Sequence, residues 1–254
     1  LNFDGDTYVS WNWKANGGVA TASASEVDNA NPAYSQQANP TAGFSIITYT
    51  GTGANATIPH GLTLAPELII TKSRSDADHW YTYSKYAAAS NPEQYELYLN
   101  LKLGSYKDGS DNTRAWNATL PTTSVFSLGD TDGTNEDGDN YVAYCFHSVE
   151  GYSKFGSYTG NGDGDGSFVY TGFSPAFIIT KCSSHASTNW FLHDQVRNPI
   201  NPANINMHPN LPNVEGSVTT THHIDILSNG YKPRGTGAEI NGSGRIYIYM
   251  AFGS

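Results

Sequence analysis

The strongest constraint on this chain is an internal repeat. The segment GFSIITYTGTGANATIPHGLTLAPELIITK, which begins at Gly43, aligns with GYSKFGSYTGNGDGDGSFVYTGFSPAFIITK, which begins at Gly151. From Tyr49 to Lys72, identical residues keep one constant spacing, so no gap is needed between them. They include Tyr49 with Tyr158, Ile69 with Ile178 and Lys72 with Lys181. Self-similarity of this kind indicates that both copies fold in the same way.

The match continues to the end of each copy, where YVAYCFHS from Tyr141 faces YIYMAFGS from Tyr247. Each copy is about 105 residues long, which is the usual size of a small β-sandwich. We therefore predict an all-β chain of two tandem homologous β-sandwich units with a jelly-roll-like strand arrangement. The units are assigned to residues 43–150 and 151–254, called the first and the second unit below.

The closing strand of the unit has a third relative near the N-terminus. GDTYVSWNWKA, from Gly5, resembles GDNYVAYCFHS, from Gly138, with the same alternation of aromatic residues. An isolated strand with an aromatic face is unstable and prone to aggregation. We expect residues 1–15 to be the closing strand of a preceding repeat or a donor strand for a neighbouring unit. Residues 16–42, rich in Ala, Ser, Asn and Pro, are predicted to be a linker.

Composition agrees with many short strands joined by tight turns. The chain holds 17 Tyr, 10 Phe, 5 Trp, 26 Gly and 12 Pro, and only 14% of its residues are charged. Aromatic residues favour strands, whereas Gly and Pro favour turns. Alternating runs such as FSIITYT predict half-buried strands, and one short helical turn is predicted to end before Pro92. Cys145 and Cys182 lie in strand-like runs, where we expect free, buried thiols rather than a disulfide.

The charge balance excludes several partners. The net charge is −10, from 23 acidic and 13 basic residues. Nucleic acid is a poor partner, because phosphate binding needs clustered Lys and Arg. No apolar run approaches the roughly 18 residues that a membrane-spanning helix needs, so we predict no membrane insertion.

Several long blocks resemble one known group of proteins. AGFSIITYTGTGANATIPHGL, APELIITK, YVAYCFHSVEGYSKFGSYTGNG and IDILSNGYKPRGTGAEINGSGRIYIYMAFGS are similar to repeat modules of tail-fibre or receptor-binding proteins of tailed phages, marine and cyanobacterial phages above all. The resemblance covers essentially the whole chain. It implies a protein of the virion surface, outside the cell, and it carries no catalytic residues to transfer.

From this resemblance we expect an adhesion module of a virion tail fibre that attaches to a host-surface glycan. Its other expected partners are neighbouring copies of the same chain or adjacent repeats, in a homo-oligomer. A purely structural fibre spacer without a ligand is the first alternative. A polysaccharide-cleaving tail-spike enzyme is the second, because carboxylate pairs for glycoside cleavage need only spatial proximity.

Aromatic side chains are the first candidates for glycan contact, because sugar rings stack their C–H faces on them. Binding surfaces tend to lie on loops that vary, and the two units differ in length around residues 95–116. The predicted glycan residues there are Trp116, Tyr95, Tyr98 and Tyr106. Arg197 is added as an exposed cation, although a local salt bridge with Asp194 also explains its position.

An acidic, glycine-rich loop offers the only cofactor site that the sequence suggests, which is calcium. Oxygen-rich loops can supply the six to eight oxygen ligands that Ca²⁺ takes. The candidate ligands are Asp130, Asp132, Asp137 and Asp139. Their spacing is not that of an EF-hand, and Gly-Asp turns also occur for conformational reasons alone.

Motifs of enzymes are missing from the sequence. It contains no HExxH, no CxxC pair and no GxSxG. His222 and His223 are adjacent, and neighbouring residues of a strand point to opposite faces, so they cannot share one metal ion without a bulge. We expect no enzymatic activity.

Overall fold

The computed structural model describes residues 4–5, 8–15, 19–22, 31–107, 115–217 and 221–253. The chain is all-β, with 39% of its residues in strands and 3% in helix, so the predicted fold class is confirmed. The helical residues form a 3₁₀ turn at Pro92–Gln94 and one α-helical turn, α1, at Asp132–Asn135. The predicted helical turn therefore starts at Pro92 instead of ending before it. No helix in the described ranges is long and apolar enough to cross a membrane.

The strands up to residue 146 belong to the first unit and to the segment before it. They are β1 Val19–Ala22, β2 Tyr34–Asn39, β3 Phe44–Thr50, β4 Ala56–Pro59, β5 Leu68–Ser73, β6 Tyr81–Ser84, β7 Leu97–Tyr98, β8 Val125–Leu128 and β9 Asn140–Phe146. The second unit holds β10 Ser153–Thr159, β11 Val169–Tyr170, β12 Pro175–Cys182, β13 Trp190–Asp194, β14 Ile205–Asn206, β15 Gly216–Ser217, β16 Ile224–Leu227, β17 Gly230–Pro233 and β18 Ile246–Gly253.

Both units share one antiparallel strand order. The large sheet of the first unit contains β3-β9-β5-β6, and that of the second contains β10-β18-β12-β13. In each unit the closing strand thus lies between the first strand and the strand that carries Ile-Ile-Thr-Lys. A small outer sheet packs on each large one, with order β4-β8 in the first unit and β11-β17-β16 in the second.

The segment predicted to be a linker, residues 16–42, instead contributes two strands. β2 pairs with β3 over its whole length, and β1 pairs with β2, which extends the large sheet to seven strands. The pairing continues one residue beyond β2, where the Thr50 amide donates to the carbonyl oxygen of Ala33 at 3.2 Å. An exposed edge strand has unpaired amide and carbonyl groups that favour such a partner. Composition alone hid this, because polar strands such as YSQQAN lack an apolar pattern.

The two units pack against each other through their large sheets. Side chains from both sheets form one cluster, called the shared core. Its buried members are Phe44, Leu68, Ala87, Leu97, Phe146, Phe155, Phe177, Ile179, Trp190, Leu192, Ile248, Met250 and Phe252. Trp190 also donates from Nε1 to the carbonyl oxygen of Tyr98 in the first unit, at 2.9 Å. Each buried large apolar side chain contributes about 2–3 kcal/mol, so this contact holds the units together.

Each unit also has its own core on the other face of its large sheet. In β12, Ile178 points to the core of the second unit, whereas Phe177 and Ile179 point to the shared core. Strands β12 and β18 are therefore buried on both faces, not half-buried as the alternation predicted. The physical reason is the shared core, which covers the face that a separate sandwich would leave in water. Cys145 and Cys182 are free and fully buried, as predicted.

A buried asparagine occupies the same position in both units. Asn135 accepts from the Thr52 amide at 2.9 Å and donates to the carbonyl oxygens of Ala54 and Gly129. Its counterpart Asn241 makes the equivalent bonds with the Asn161 amide at 3.0 Å and with the carbonyl oxygens of Asp163 and Gly235. Each asparagine thereby ties the turn after the first strand to the loop before the closing strand.

The N-terminal segment, residues 8–15, is not a strand of any described sheet. Its predicted role, as the closing strand of a preceding repeat or as a donor strand, stays a prediction. Its aromatic residues are nevertheless covered, since Trp11 packs against Phe177 with ring centroids 5.3 Å apart. Trp13 contacts Phe146 and Phe252 at 6.2 and 5.3 Å. The segment therefore closes one side of the shared core.

The asparagine positions give a first testable prediction. Asn135→Ala and Asn241→Ala each remove three hydrogen bonds to main-chain groups, one buried and two part-buried, so each should lower the free energy of unfolding by about 2–3 kcal/mol. Because the shared core couples the units, both variants should lower the midpoint of one common transition in calorimetry. The exposed Asn140→Ala should change stability by less than about 0.5 kcal/mol. Two separate transitions would show that the units unfold independently.

A buried histidine gives a prediction on pH. Burial lowers the pKa of His193 from 6.5 to about 4 in the folded chain. The unfolded chain binds the proton near pH 6.5, so stability is full above that pH and falls between about 6.5 and 4, by on the order of 3 kcal/mol. Urea unfolding at several pH values should show this loss, and His193→Gln should reduce its slope. An unchanged slope in the variant would assign the acid sensitivity to other groups.

Candidate functional site

Two of the predicted glycan residues lie in the protein interior. Trp116 is only 3% exposed and packs edge-to-face on Tyr83 in the core of the first unit. Tyr98 is 8% exposed, and its hydroxyl donates to Glu96 at 2.7 Å. Neither ring can stack on a sugar in this structure, which corrects the prediction. The length difference between the units was interpreted as a surface loop, whereas its Trp fills the core beneath it.

The other two predicted tyrosines lie at the surface. Tyr106 is 45% exposed and forms an isolated β-bridge with Glu96 through two main-chain hydrogen bonds of 2.8 Å. Tyr95 is half-buried, and the ammonium of Lys107 lies 5.8 Å from its ring centroid. Tyr106 also lines a shallow cleft of about 180 Å³ between the units, together with Leu103 and His185.

Arg197 serves as a structural ion-pair partner. Its Nη2 lies 2.5 Å from Oδ2 of Asp194, which is almost fully buried, and its Nη1 lies 3.3 Å from Oε2 of Glu215. The guanidinium also lies 5.8 Å from the ring centroid of Trp11. The predicted salt bridge with Asp194 is therefore present, and the side chain is only 10% exposed. Because Asp194 and Glu215 bind the guanidinium of Arg197, little of this group is accessible to a ligand.

The four predicted calcium ligands do not come together. The turn of α1 lies between Asp130 and Asp137. In the part of the chain that the structure describes, only Asp139 of the four, and not Asp130, Asp132 or Asp137, belongs to a group of carboxylates close enough to share an ion. Among the described residues, one group could hold a metal ion, formed by Asp139 with Asp76 and Glu136, whose carboxylate oxygens lie within 4.8 Å of one another. Repulsion from Asp132, followed by desolvation and repulsion from Asp139, raises the pKa of Glu136. Exposed acidic groups are common without an ion, so calcium stays a prediction.

Two histidines that drew attention in the sequence are held by neighbours. His222 pairs with Glu239 at 2.9 Å, and its ring stacks on Phe191. That hydrogen bond is the main cause that lowers the pKa of the Glu239 carboxyl. His60 is fully buried, accepts from the Leu62 amide and contacts the carbonyl oxygen of Thr122. Neither histidine is arranged for catalysis.

An exposed aromatic pair on the second unit was missed by the sequence reasoning. Phe168 is 48% exposed and Tyr170 is 63% exposed, while Val169 between them is buried in the core. Successive side chains of a strand alternate between faces, so both rings project from the outward face of the outer sheet. We call this pair the aromatic face. Phe168, Val169 and Tyr170 are all apolar, so no sequence signal showed which of these side chains would face outward.

The backbone beneath the aromatic face is shaped to hold the rings. The register pairs Tyr170 with Gly230 and Val169 with Tyr231. A Cβ atom at Gly230 would clash with the Val169 carbonyl oxygen and lie 2.9 Å from the Phe168 ring, so glycine allows both the close strand contact and the position of Phe168 across β17. Tyr231 is 1% exposed and anchors the strand in the core. The pair therefore stands on a rigid support.

Charged groups border the aromatic face on one side. Asp165 lies 2.7 Å from both Lys232 and Arg234, and Arg234 also lies 3.3 Å from Asp225. The hydrogen bond and charge of Lys232 are the main causes that lower the pKa of Asp165. The border thus combines two cations and two carboxylates that balance one another. Such groups can donate to and accept from the hydroxyl groups of a ligand.

The buried ion pair of Arg197 gives a prediction that distinguishes a structural role of this residue from a role in ligand binding. Arg197→Met leaves the Asp194 carboxylate buried without its cation, which should cost about 3 kcal/mol of stability. Adding Asp194→Asn to this variant should recover part of the loss. Chemical denaturation measures both. A stable Arg197→Met variant that loses a ligand would instead assign Arg197 to binding.

Comparison with known proteins gives a single match. No curated protein and no solved structure matches the chain. One family model, described as a domain of unknown function (DUF7483), matches residues 1–254. Because the match spans the full chain, this protein belongs to the DUF7483 domain family.

Proposed function

We propose that this domain is an adhesion module of a virion tail fibre and that it attaches to a host-surface glycan through the aromatic face. The observation that carries the proposal is the exposure of Phe168 and Tyr170 on one face of a rigid sheet. Large aromatic side chains are usually buried, and their exposure side by side indicates a surface that a ligand covers. The assignment to a virion and to a host surface rests on the resemblance of the repeat blocks to phage tail-fibre modules.

The chemistry beside the rings favours carbohydrate over a purely apolar ligand. Sugar rings present C–H groups to aromatic faces and hydroxyl groups at their rims. Lys232 lies two residues after Gly230 on β17, hence on the same face as Tyr170, and it pairs with Asp165. Both groups can form hydrogen bonds with those hydroxyls. Because the border charges are paired with one another, a neutral sugar fits better than a strongly charged one.

The same border argues against glycoside cleavage at this site. A retaining or inverting glycosidase needs one carboxyl group that stays protonated to act as the general acid. Lys232 and Arg234 instead hold the pKa of Asp165 below its ordinary value, so this carboxyl group stays ionised. Asp225 pairs with Arg234 as well. Binding is therefore the better proposal.

A second candidate function is that of a structural spacer. The shared core joins the two units into one body, a geometry suited to a stiff fibre segment. A spacer needs no ligand, so the exposed aromatic pair would be a contact between neighbouring copies. The two candidates differ in what covers the aromatic face.

The test is a glycan array followed by calorimetric titration of the best glycan. Phe168→Ala and Tyr170→Ala should each weaken binding by about tenfold, which corresponds to ~1.4 kcal/mol per ring. Tyr106→Ala removes an exposed ring far from this face and should leave the affinity unchanged. Full affinity in the double variant Phe168→Ala and Tyr170→Ala would refute the assignment of the site. Concentration-dependent association lost in the same variant would support the spacer.

A further inference from the structure

The N-terminal segment, residues 8–15, has the burial pattern of a strand that covers a core. Trp11 and Trp13 are half-buried, whereas Ser10, Asn12 and Lys14 are exposed. This alternation with period two is that of an extended strand with one face packed on apolar neighbours. The apolar neighbours are members of the shared core, as described above.

Its main chain, however, has no ladder on either side. Among the described residues, no strand pairs with residues 8–15. The carbonyl oxygen of Lys14 accepts one side-chain hydrogen bond, from Asn39 at 2.9 Å. A strand whose side chains are packed but whose amide and carbonyl groups lack a ladder is a template for pairing with other strands.

The two strands that align in sequence with residues 8–15 each lie in the middle of a large sheet. GDTYVSWNWKA aligns with the segment that forms β9 and, through it, with β18. β9 lies between β3 and β5, and β18 lies between β10 and β12, so both are paired on two sides. By the same alignment, Trp13 is equivalent to Phe146 and Phe252. The segment therefore matches a strand type that needs two neighbours.

The three equivalent rings meet in space. Trp13 lies 6.2 Å from Phe146 and 5.3 Å from Phe252, and those two rings lie 6.0 Å apart. Three closing strands thus converge on one point of the shared core. Two of these strands, β9 and β18, are each part of a large sheet. The third is the N-terminal segment, which is part of no described sheet.

We propose that residues 8–15 are the central strand of a third large sheet, which covers the remaining side of the shared core. The partner is a further unit of this same fold that lacks its own closing strand. Its first strand and its Ile-Ile-Thr-Lys-type strand would flank the segment on both sides. A second copy of the chain does not fit, because β9 and β18 already fill the central positions of its two units.

The direction of the chain identifies the source of this partner. In both units here, the closing strand follows the other strands of its own unit in sequence. The unit completed by residues 8–15 is therefore encoded on their N-terminal side in the same polypeptide. This inference is independent of carbohydrate binding, since the aromatic face lies on the outer sheet of the second unit.

The experiment compares hydrogen exchange in the 254-residue chain with that in its natural polypeptide extended on the N-terminal side by about one unit. In the 254-residue chain, the amides of residues 8–15 should exchange quickly while those of β9 are protected. In the extended polypeptide, the amides of residues 8–15 should exchange at least about a hundredfold more slowly. Asn12→Pro should abolish this added protection, because proline has no amide hydrogen, and Asn12→Ala should keep most of it.

Three results would overturn the proposal. The first is equal exchange of residues 8–15 in both polypeptides. The second is an N-terminal extension whose sequence lacks the repeat. The third is protection that already appears in the 254-residue chain and rises with its concentration, which would mean that residues 8–15 of two copies pair with each other.

Discussion

The packing of two large sheets through one aromatic core is the interaction on which the rest of this structure depends. Each sheet already covers its own small outer sheet, so the shared core buries its second face as well. Burial of apolar surface on both faces gives a unit of about 105 residues more stabilisation than one sandwich core supplies. It also fixes the relative orientation of the units and leaves only the outward faces and loop ends free to differ.

The repeat was the part of the fold that sequence could predict. Equal residues at constant spacing, such as Lys72 and Lys181, correspond to equal strands in one shared topology. The buried asparagines Asn135 and Asn241 show the same point at atomic detail, because their hydrogen bonds are equivalent in both units. The contact between the units was not predicted, since a strand pattern does not show whether its second face meets water or another sheet.

The binding residues were predicted less well than the fold, because the sequence does not show which side chains are covered by neighbours. Trp116 was chosen because its loop differs between the units, but a longer loop can also carry a ring back into the core. The polar strand β2 was taken for a linker, because its backbone pairing leaves no apolar signal. Conversely, Phe168 and Tyr170 lie where the two units differ in sequence, and only the burial of Val169 between them shows that both rings face outward. Exposure depends on which neighbours cover a face.

The outer sheets are the part of the fold in which the two units differ in what covers them. In the first unit, Asn31 accepts hydrogen bonds from the main chain and the side chain of Thr57, so Asn31 lies against the outer strand β4. In the second unit, the corresponding sheet has β11 at its edge and carries the aromatic face uncovered. The inward faces of the two large sheets must match each other to form the shared core. Differences in function between repeats can therefore arise on the outer sheets without loss of stability, and this is where the two units of this chain differ most.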